Sequence, residues 1–407
     1  MTTVTPRIRS LTETDFDAFH DATSSAFLFP ATDAARQRER DLFDLRRFHG
    51  AFDGDEMIGG AGILSKNMTL PGTGMRPVAA VTAVGTTPDN RRRGVLTGLM
   101  RAQLDQLHND AAEPIATLWC SEAGIYGRFG YGLATTRFFT TVPRGATFMS
   151  TVDCGSDRVR ELPREAALVA FKEVYNRVAP RRIGWLSRTD ASWEQWYLDD
   201  EQQRGRYSPM RFAVHPNAYA AYRVRSNWTI SGPRHELVAH EIVSADPVSH
   251  AAIWRYLLDI DLIGEMKYDN LAMDDPLPHM LVDYRAADRR IGDALWIRLV
   301  DVDRALTERR YSAPAALVVE LTDAFCPWNA GRWRLTVDAD GVAQVRRTES
   351  SPDLAMDVAD LGALFLGGTS AVALAGAGRV KEVEPGSLVR LAMAFATEHQ
   401  PSCAELF

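Results

Sequence analysis

The sequence has few cysteines, no long apolar run and no excess of positive charge, and each shortage excludes a class of protein. Its four cysteines are scattered without Cys-x-x-Cys spacing, so neither a metal site nor a disulfide framework is predicted. The net charge of -7 argues against a general nucleic-acid-binding protein. The apolar run at residues 361–378 is interrupted by Gly367 and Gly368, which favours two short buried helices over a membrane span.

The length of the chain predicts its number of domains, and its N-terminal segments predict its location and one exposed helix. A chain of 407 residues is too long for one ordinary core and predicts two to four domains. Residues 1–17 contain no apolar signal segment, so we expect a cytoplasmic protein. Residues 34–47 are dense in charges of both signs, and we predict an exposed helix there whose charges face solvent rather than a ligand.

The most informative stretch is residues 78–100, which predicts a buried strand, a turn and a helix. Small and β-branched residues precede Pro88, and leucines at helical spacing predict a helix that begins near Arg92. The first N–H groups of a helix attract anions, and Gly94 would let a phosphate approach the backbone closely. The pattern Arg91-x-x-Gly94 after a strand resembles the motif with which Gcn5-related N-acetyltransferases (GNAT) hold the pyrophosphate of coenzyme A.

A second motif, SEAGIYGRFGYG at residues 121–132, follows a short apolar strand predicted at 115–120. In the acetyltransferase superfamily this strand diverges from its neighbour, the acyl thioester lies in the gap, and a tyrosine follows with a glycine-aromatic pair. Tyr126 and the pair Gly130-Tyr131 match that pattern. A lone tyrosine is more often a core residue, but the two motifs in this order favour an enzyme.

The order of strands and helices then repeats in the middle of the chain, and the last part of the chain, from residue 295, has a different order. The second copy has a helix, a hairpin, a strand and a helix, predicted at 165–178, 211–224, 236–243 and 248–259. Asp246 and Pro247 stand where the first copy has its arginines and glycine, so this copy should lack a phosphate site. From residue 295, a strand, a helix, hairpins and apolar helices resemble sterol carrier protein-like domains.

The whole chain resembles the enhanced intracellular survival (Eis) family of actinobacterial acetyltransferases. The most specific pieces are TAVGTTPDNRRRGVL, SEAGIYGRFGYG, HPNAYAAYRV, DDPLPHMLVD and an end on Phe407. The resemblance implies an α/β and α+β fold, with two tandem GNAT-type domains followed by a sterol carrier protein-like domain. We expect the catalytic domain at 1–145, the degenerate copy at 146–293 and the third domain at 294–407, with its C-terminus returning to the active site. The family's assembly implies a homohexamer.

The resemblance also implies a reaction and its residues. Acetyl-CoA would be the cosubstrate, without a metal, and the acceptors would be primary amines of polycationic compounds: aminoglycoside-type compounds, polyamines or lysine side chains. Tyr126 takes the position of the general acid, and the carboxylate of Phe407 that of the base. The expected coenzyme contacts are Val84, Gly85, Thr86, Arg91, Arg92, Gly94, Val95 and Ser121.

One departure from the family and two alternatives remain. The family's best-studied acceptor pocket has carboxylates in the region of the first helix and beside the last residue; here Phe29 and Leu406 take those places, and Glu405 is shifted by one. The chain could instead be a lipid- or sterol-binding protein with a vestigial acetyltransferase domain. It could also be an acyltransferase that uses longer acyl-CoA donors.

Overall fold

The computed structural model describes residues 6–201 and 204–407, which form three large β-sheets with helices packed against them and one two-stranded sheet. The N-terminal elements alternate strands and helices as the sequence predicts. They are β1 (Arg7–Ser10), α1 (Phe16–Phe27), α2 (Asp33–Leu42), β2 (Phe48–Asp53), β3 (Glu56–Leu70), β4 (Gly74–Thr86), α3 (Val95–Asn109), β5 (Ile115–Trp119) and β6 (Gly132–Leu133).

The middle of the chain builds a second unit with a similar order of elements. They are β7 (Thr136–Pro143), β8 (Arg160–Glu161), α4 (Arg164–Val178), α5 (Asp190–Trp196), β9 (Arg211–His215), β10 (Ala218–Arg225), β11 (Trp228–Thr229), β12 (Gly232–Pro233), β13 (His235–Ser244), α6 (Pro247–Leu258), β14 (Ile263–Leu271), α7 (Leu277–Met280) and β15 (Asp288–Asp293).

The remainder begins with one strand of the first sheet and continues as a five-stranded sheet with short helices. The elements are β16 (Leu295–Leu299), α8 (Val302–Thr307), β17 (Ala315–Thr322), β18 (Gly331–Val337), β19 (Ala343–Arg347), β20 (Leu354–Asp357), α9 (Val358–Leu364), α10 (Ala371–Gly376), β21 (Val380–Glu382) and α11 (Ser387–Phe395). No helix in the described parts of the chain is long and apolar enough to cross a bilayer, and residues 361–378 contribute to α9 and α10, as predicted.

Alternating residues of β4 bury its two faces against different helices, which fixes the layers of the first unit. Ala79 and Val81 pack in one apolar cluster with Met100 and Leu104 of α3. Ala80, on the opposite face, belongs to the cluster of α1. Because successive side chains of a strand point to opposite faces, the sheet is covered on both sides.

The second unit repeats this arrangement around β10. Tyr219 stacks on Phe171 of α4 with ring centroids 3.9 Å apart, whereas Tyr222 on the other face belongs to the cluster of Trp254 in α6. β13 and β14 pair in parallel, as β4 and β5 do in the first unit. The repeat read from the sequence is therefore confirmed in three dimensions.

One strand lies in a sheet that its sequence position does not indicate. The first sheet has the order β1-β2-β3-β4-β5-β16-β6, and the second has the order β15-β7-β14-β13-β10-β9-β8. We had predicted β16 as the first strand of the third domain, but it pairs with β5 and β6. Its apolar residues Leu295, Ile297 and Leu299 are fully buried, and its backbone pairs along the edge of β5 that would otherwise lie open. The boundaries at 145 and 293 remain predictions.

The structure also corrects two local predictions. The helix expected near Arg92 begins three residues later, because Arg92 and Gly94 both adopt positive φ angles and the turn is not yet helical. Residues 34–47 form α2 and a short 3-10 turn, as expected for an exposed segment. However, Glu39, Leu42 and Phe43 line a cavity, so this segment is more than a solvated surface.

Candidate active site

A gap opens between β4 and β5 because their pairing stops early. The two strands pair in parallel only at Ala79 with Ala116 and at Ala80 with Thr117. β4 then continues to Thr86, while the chain beyond β5 reaches Ser121. A cavity of about 700 Å³, here called the gap cavity, lies between these diverging ends.

The edge of β4 that faces this cavity is irregular. Gly60 of β3 pairs with Gly85, whereas Gly62 pairs with Thr82, so β4 has one residue more than its partner in this interval. Ala83, inside the bulge, has a φ of 50°. Bulges leave backbone groups outside the ladder and occur often beside active sites. The N–H groups near Val84 are thereby available to a ligand.

The N-terminus of α3 and two arginines form the other wall of the gap cavity. Gly94 caps the helix with a φ of 82°, a conformation that other residues adopt at a cost, and a Cβ there would meet no atom within 4 Å. Gly94 and Val95 line the gap cavity at the start of α3, where the first N–H groups have no partner within the helix. Arg91 and Arg92 line the cavity, whereas Arg93 turns away to Asp53, 2.7 Å distant. The site is suited to a phosphate or pyrophosphate.

Tyr126 lies in the floor of the gap cavity in a 3-10 turn, where it is 6% exposed. Burial, with smaller contributions from Cys120 and Glu122, raises the pKa of its hydroxyl to about 12. It therefore stays protonated at neutral pH and is a hydrogen-bond donor. Cys120 is no nucleophile, because burial and a contact of 3.0 Å with Asp293 raise the pKa of its thiol to about 12.

A second cavity of about 440 Å³ lies on the other side of the bulge and is here called the tail cavity. Thr82 and Ala83 line it, and Phe27 lines both cavities, so the two spaces adjoin at the end of α1. The last three residues, Glu405, Leu406 and Phe407, form part of its wall. Phe407 thus lies beside the gap cavity and is absent from its wall.

Charges, rather than apolar contacts alone, hold the C-terminal tail in place. The Glu405 carboxylate accepts from Lys66 Nζ at 2.6 Å and from the guanidinium of Arg188. Arg188 also donates to Glu241 at 2.6 Å. The side chains of these four residues are at most 5% exposed. Two cations and two anions make a neutral buried tetrad, which joins β3, the second unit and the tail.

Hydrogen bonds to the backbone of the tail add to this anchoring, two from side chains and one between backbone groups. Trp119 donates to the carbonyl of Glu405 at 2.9 Å, and Asn270 donates to that of Cys403 at 2.8 Å. The N–H of Ser402 donates to the carbonyl of Ile183 at 2.9 Å. The tail is therefore bonded to the first and second units immediately before its last two residues.

The second unit fills the position where a phosphate site would be. The carboxylate of Asp246 accepts from the N–H of Ser249 at 2.8 Å, and Pro247 contributes no N–H. An anion at this helix start would meet a carboxylate.

Over residues 6–201 and 204–407, groups of three His, Cys, Asp or Glu side chains able to hold a metal are not found.

Every residue predicted to contact the coenzyme lines the gap cavity, together with Tyr126. Phe407 is separated from that set and lines the tail cavity. Sequence reasoning missed Glu39, Gln195 and Trp196, which also line the tail cavity. Glu39 lies far from Gln195 and Trp196 in sequence and none of the three belongs to a motif, so only folding brings them together.

Comparisons with known proteins match the three parts of the chain to known domains. Two acetyltransferase (GNAT) domain models match residues 7–134 and 184–305, and a sterol carrier protein domain model matches residues 302–404. An uncharacterized N-acetyltransferase of Streptomyces avermitilis is 40% identical over 98% of both chains. N-acetyltransferase Eis of Mycobacterium tuberculosis is 33% identical over 95% of this chain and 92% of its own. The crystal structure of Eis1 from Mycobacterium abscessus is 33% identical, covers 98% of this chain and all of its own, and has a TM-score of 0.86.

The fold and the matched domains define a GNAT-type acetyltransferase with two tandem GNAT domains and a sterol carrier-like third domain. Within that class, the chain belongs to the Eis family of N-acetyltransferases. The family resemblance read from the sequence is thereby confirmed.

Proposed function

We propose that this protein transfers the acetyl group of acetyl-CoA to a primary amine at the junction of the gap and tail cavities. One observation carries the proposal: the unpaired N–H groups of α3, two arginines, the bulged strand and Tyr126 all face one space. The pyrophosphate would lie at the N-terminus of α3, beside Arg91 and Arg92. The proposed contacts are Val84, Gly85, Thr86, Arg91, Arg92, Gly94, Val95 and Ser121.

The residues around the cavity can account for each chemical step. Acetyl-CoA supplies an activated thioester. The N–H groups near Val84 would donate to the carbonyl oxygen as it gains negative charge. The Tyr126 hydroxyl would donate a hydrogen bond to the sulfur as the thiolate leaves. With a pKa of about 12 it is a weaker acid than a thiol, whose ordinary pKa is about 8.5. Stabilisation by this hydrogen bond is therefore favoured over complete proton transfer.

The acceptor must lose a proton before it attacks. A primary ammonium has a pKa of about 10.4 and an α-carboxyl one of about 3.5, so the Phe407 carboxylate is a weak base. We propose that it orients the ammonium, with the proton passing to water. Its place in the wall of the tail cavity supports this role.

One feature of the third domain argues against the alternative function of lipid binding, namely a buried arginine in its core. Arg309 is 1% exposed within its core, where burial lowers the pKa of the guanidinium to about 10. The rings of Tyr311 and Phe395 lie 4.7 and 4.6 Å from its central carbon. A charge in this position disfavours an apolar ligand at that point. The homohexamer and the domain limits 1–145, 146–293 and 294–407 stay proposals from the family resemblance. The cytoplasmic location stays a proposal from the composition of the N-terminal segment.

The test is release of free thiol from acetyl-CoA with a panel of amines, the products being identified by mass spectrometry. The panel contains the acceptors implied by the family, namely an aminoglycoside, a polyamine and a lysine peptide, together with apolar amines. Acetyl-, propionyl- and longer CoA donors are compared on the best acceptor. Absence of turnover with every amine, together with saturable lipid binding, would contradict the proposal.

A second test concerns the tail. Deletion of Phe407, or its extension by one residue, should lower kcat strongly while acetyl-CoA still binds. The matched variant carries the same number of extra residues at the N-terminus. Full activity with an extended C-terminus would remove the Phe407 carboxylate from the mechanism.

A further inference from the structure

A further cavity, of about 510 Å³, lies between the second unit and the tail and is here called the arginine cavity. Two guanidinium groups, those of Arg137 and Arg223, line it. The rest of its wall is mostly rings and aliphatic chains, among them Trp196, Leu198, Met210 and Leu406. Small-molecule sites have such walls, in which a few polar groups fix the orientation of the ligand.

The guanidinium of Arg137 packs against two aromatic rings. Its central carbon lies 4.8 Å from the ring centre of Trp119 and 4.7 Å from that of Phe139. Its Nε is buried and has no hydrogen-bond partner among the residues that the structure describes. Burial lowers the pKa of this group, and Asp269 and Asp293 act in the opposite direction, but a guanidinium stays protonated at neutral pH. The wall of the cavity therefore carries a cationic group with an unused donor.

Arg223 adds to the positive potential of the arginine cavity. Its Nη2 lies 2.7 Å from Oδ1 of Asp199, but the same oxygen lies 2.8 Å from Nε of Arg204. The single charge of Asp199 is thus shared by two guanidinium groups and neutralises only one of them. His240, in the same wall, contributes no charge at neutral pH, because burial lowers the pKa of its imidazole. The cavity therefore favours an anionic ligand.

One carboxylate in the wall limits the charge of that anion. Asp269 is exposed and lines the same cavity, so a second negative charge on the ligand would be repelled there. A guanidinium presents Nε–H and Nη–H side by side, a geometry that matches the two oxygens of a carboxylate. The charges and the donor geometry therefore favour a monocarboxylate over a phosphate dianion, and the rings of the wall favour an apolar body attached to it.

The arginine cavity adjoins the contacts that anchor the C-terminal tail. Leu406 lines both this cavity and the tail cavity. Trp119, on which Arg137 packs, donates to the carbonyl of Glu405 at 2.9 Å. Asn270, whose side chain donates to the backbone of the tail, also lines the cavity. A ligand in this cavity would therefore contact the tail and the side chains that hold it.

We propose that the arginine cavity is an effector site for a monocarboxylate with an aromatic or branched apolar body, whose carboxylate pairs with Arg137. The ligand is neither donor nor acceptor of the acetyl group, and none of its bonds changes. Its apolar body packs against Leu406, so it binds best when the tail is in place and shifts the chain toward that state. Because Phe407 ends the tail, occupancy of the arginine cavity raises kcat.

The test is isothermal titration calorimetry of the full-length chain with 3-phenylpropionate, 3-phenylpropionamide and inorganic phosphate at matched ionic strength. The amide and phosphate should bind about tenfold more weakly than the acid, because each lacks either the charge or the apolar body. Arg137→Met should weaken binding of the acid by a similar factor. Arg289→Met is the matched control, since Arg289 also packs on two rings, those of Phe138 and Tyr284, but lies outside the cavity.

Hydrogen exchange and kinetics then test the effect on the tail. Saturating 3-phenylpropionate should slow amide exchange at residues 402–407 about threefold or more and raise kcat, with the KM of the amine unchanged. Equal binding of acid and amide, tighter binding of phosphate, or native affinity in Arg137→Met would overturn the site. Competition with the amine, or unchanged exchange in the tail, would overturn the effector role. Calorimetry needs no turnover, so these outcomes remain distinguishable from a failure of the proposed acetyl transfer.

Discussion

Glu405→Gln tests whether the buried tetrad holds the C-terminal tail at the active site. The substitution keeps the shape of the side chain but removes one of two negative charges, so Lys66 loses its carboxylate partner and Arg188 keeps only Glu241. Removing one partner of a buried ion pair costs roughly 3–5 kcal/mol. The three hydrogen bonds made by the backbone of the tail each contribute about 0.5–1.5 kcal/mol. The cost is therefore large enough to release residues 402–407 from their place.

The assay combines hydrogen exchange with kinetics. We expect faster exchange at residues 402–407 and at least a tenfold fall in kcat. The KM of acetyl-CoA should change less than twofold, because the gap cavity shares no charged residue with the tetrad. The double variant Lys66→Met with Glu405→Gln again leaves one cation and one anion, so it should recover part of the lost order. Native exchange and full kcat in Glu405→Gln would refute the reasoning.

Three further predictions concern the coenzyme site, the tyrosine and acid stability. Arg92→Glu should raise the KM of acetyl-CoA at least tenfold, while the matched Ser249→Glu at the second unit's helix should leave it unchanged; a similar loss in both would contradict a single coenzyme site. Tyr126→Phe should lower kcat with a normal melting temperature, and an unchanged kcat would exclude it from the mechanism. Burial alone would raise the pKa of Glu241, but Arg188 and neighbouring hydroxyls outweigh it and lower that pKa below 4.5. The stability that ionised Glu241 contributes should thus be present above pH 4.5 and decline below that pH. Between pH 5 and 3 the melting temperature of the Glu241→Gln variant should therefore fall less steeply than that of the unmodified protein.

The features that the sequence predicted well are local. The β4 strand, the arginines before α3 and the following tyrosine lie within 53 residues, 74–126, and each is indicated by spacing, by β-branched residues or by capping chemistry. The second unit was predicted for the same reason, because its strands and helices repeat the same periodicities. Even the lack of a phosphate site there follows from one short stretch with Asp246 and Pro247.

Only the tertiary structure decided which distant segments meet. β16 joins the first sheet because the edge of β5 is otherwise unpaired. The sequence of β16 predicts a strand but does not indicate which other strand it pairs with. The contact between Lys66 and Glu405 spans 339 positions, and nothing in either neighbourhood indicates the other. Helix α2 shows the same limit: its pattern predicts an exposed helix, but only its packing puts Glu39 in the wall of a cavity. Periodicity and capping are properties of neighbouring residues, whereas a cavity is made by side chains that the fold brings together from several segments.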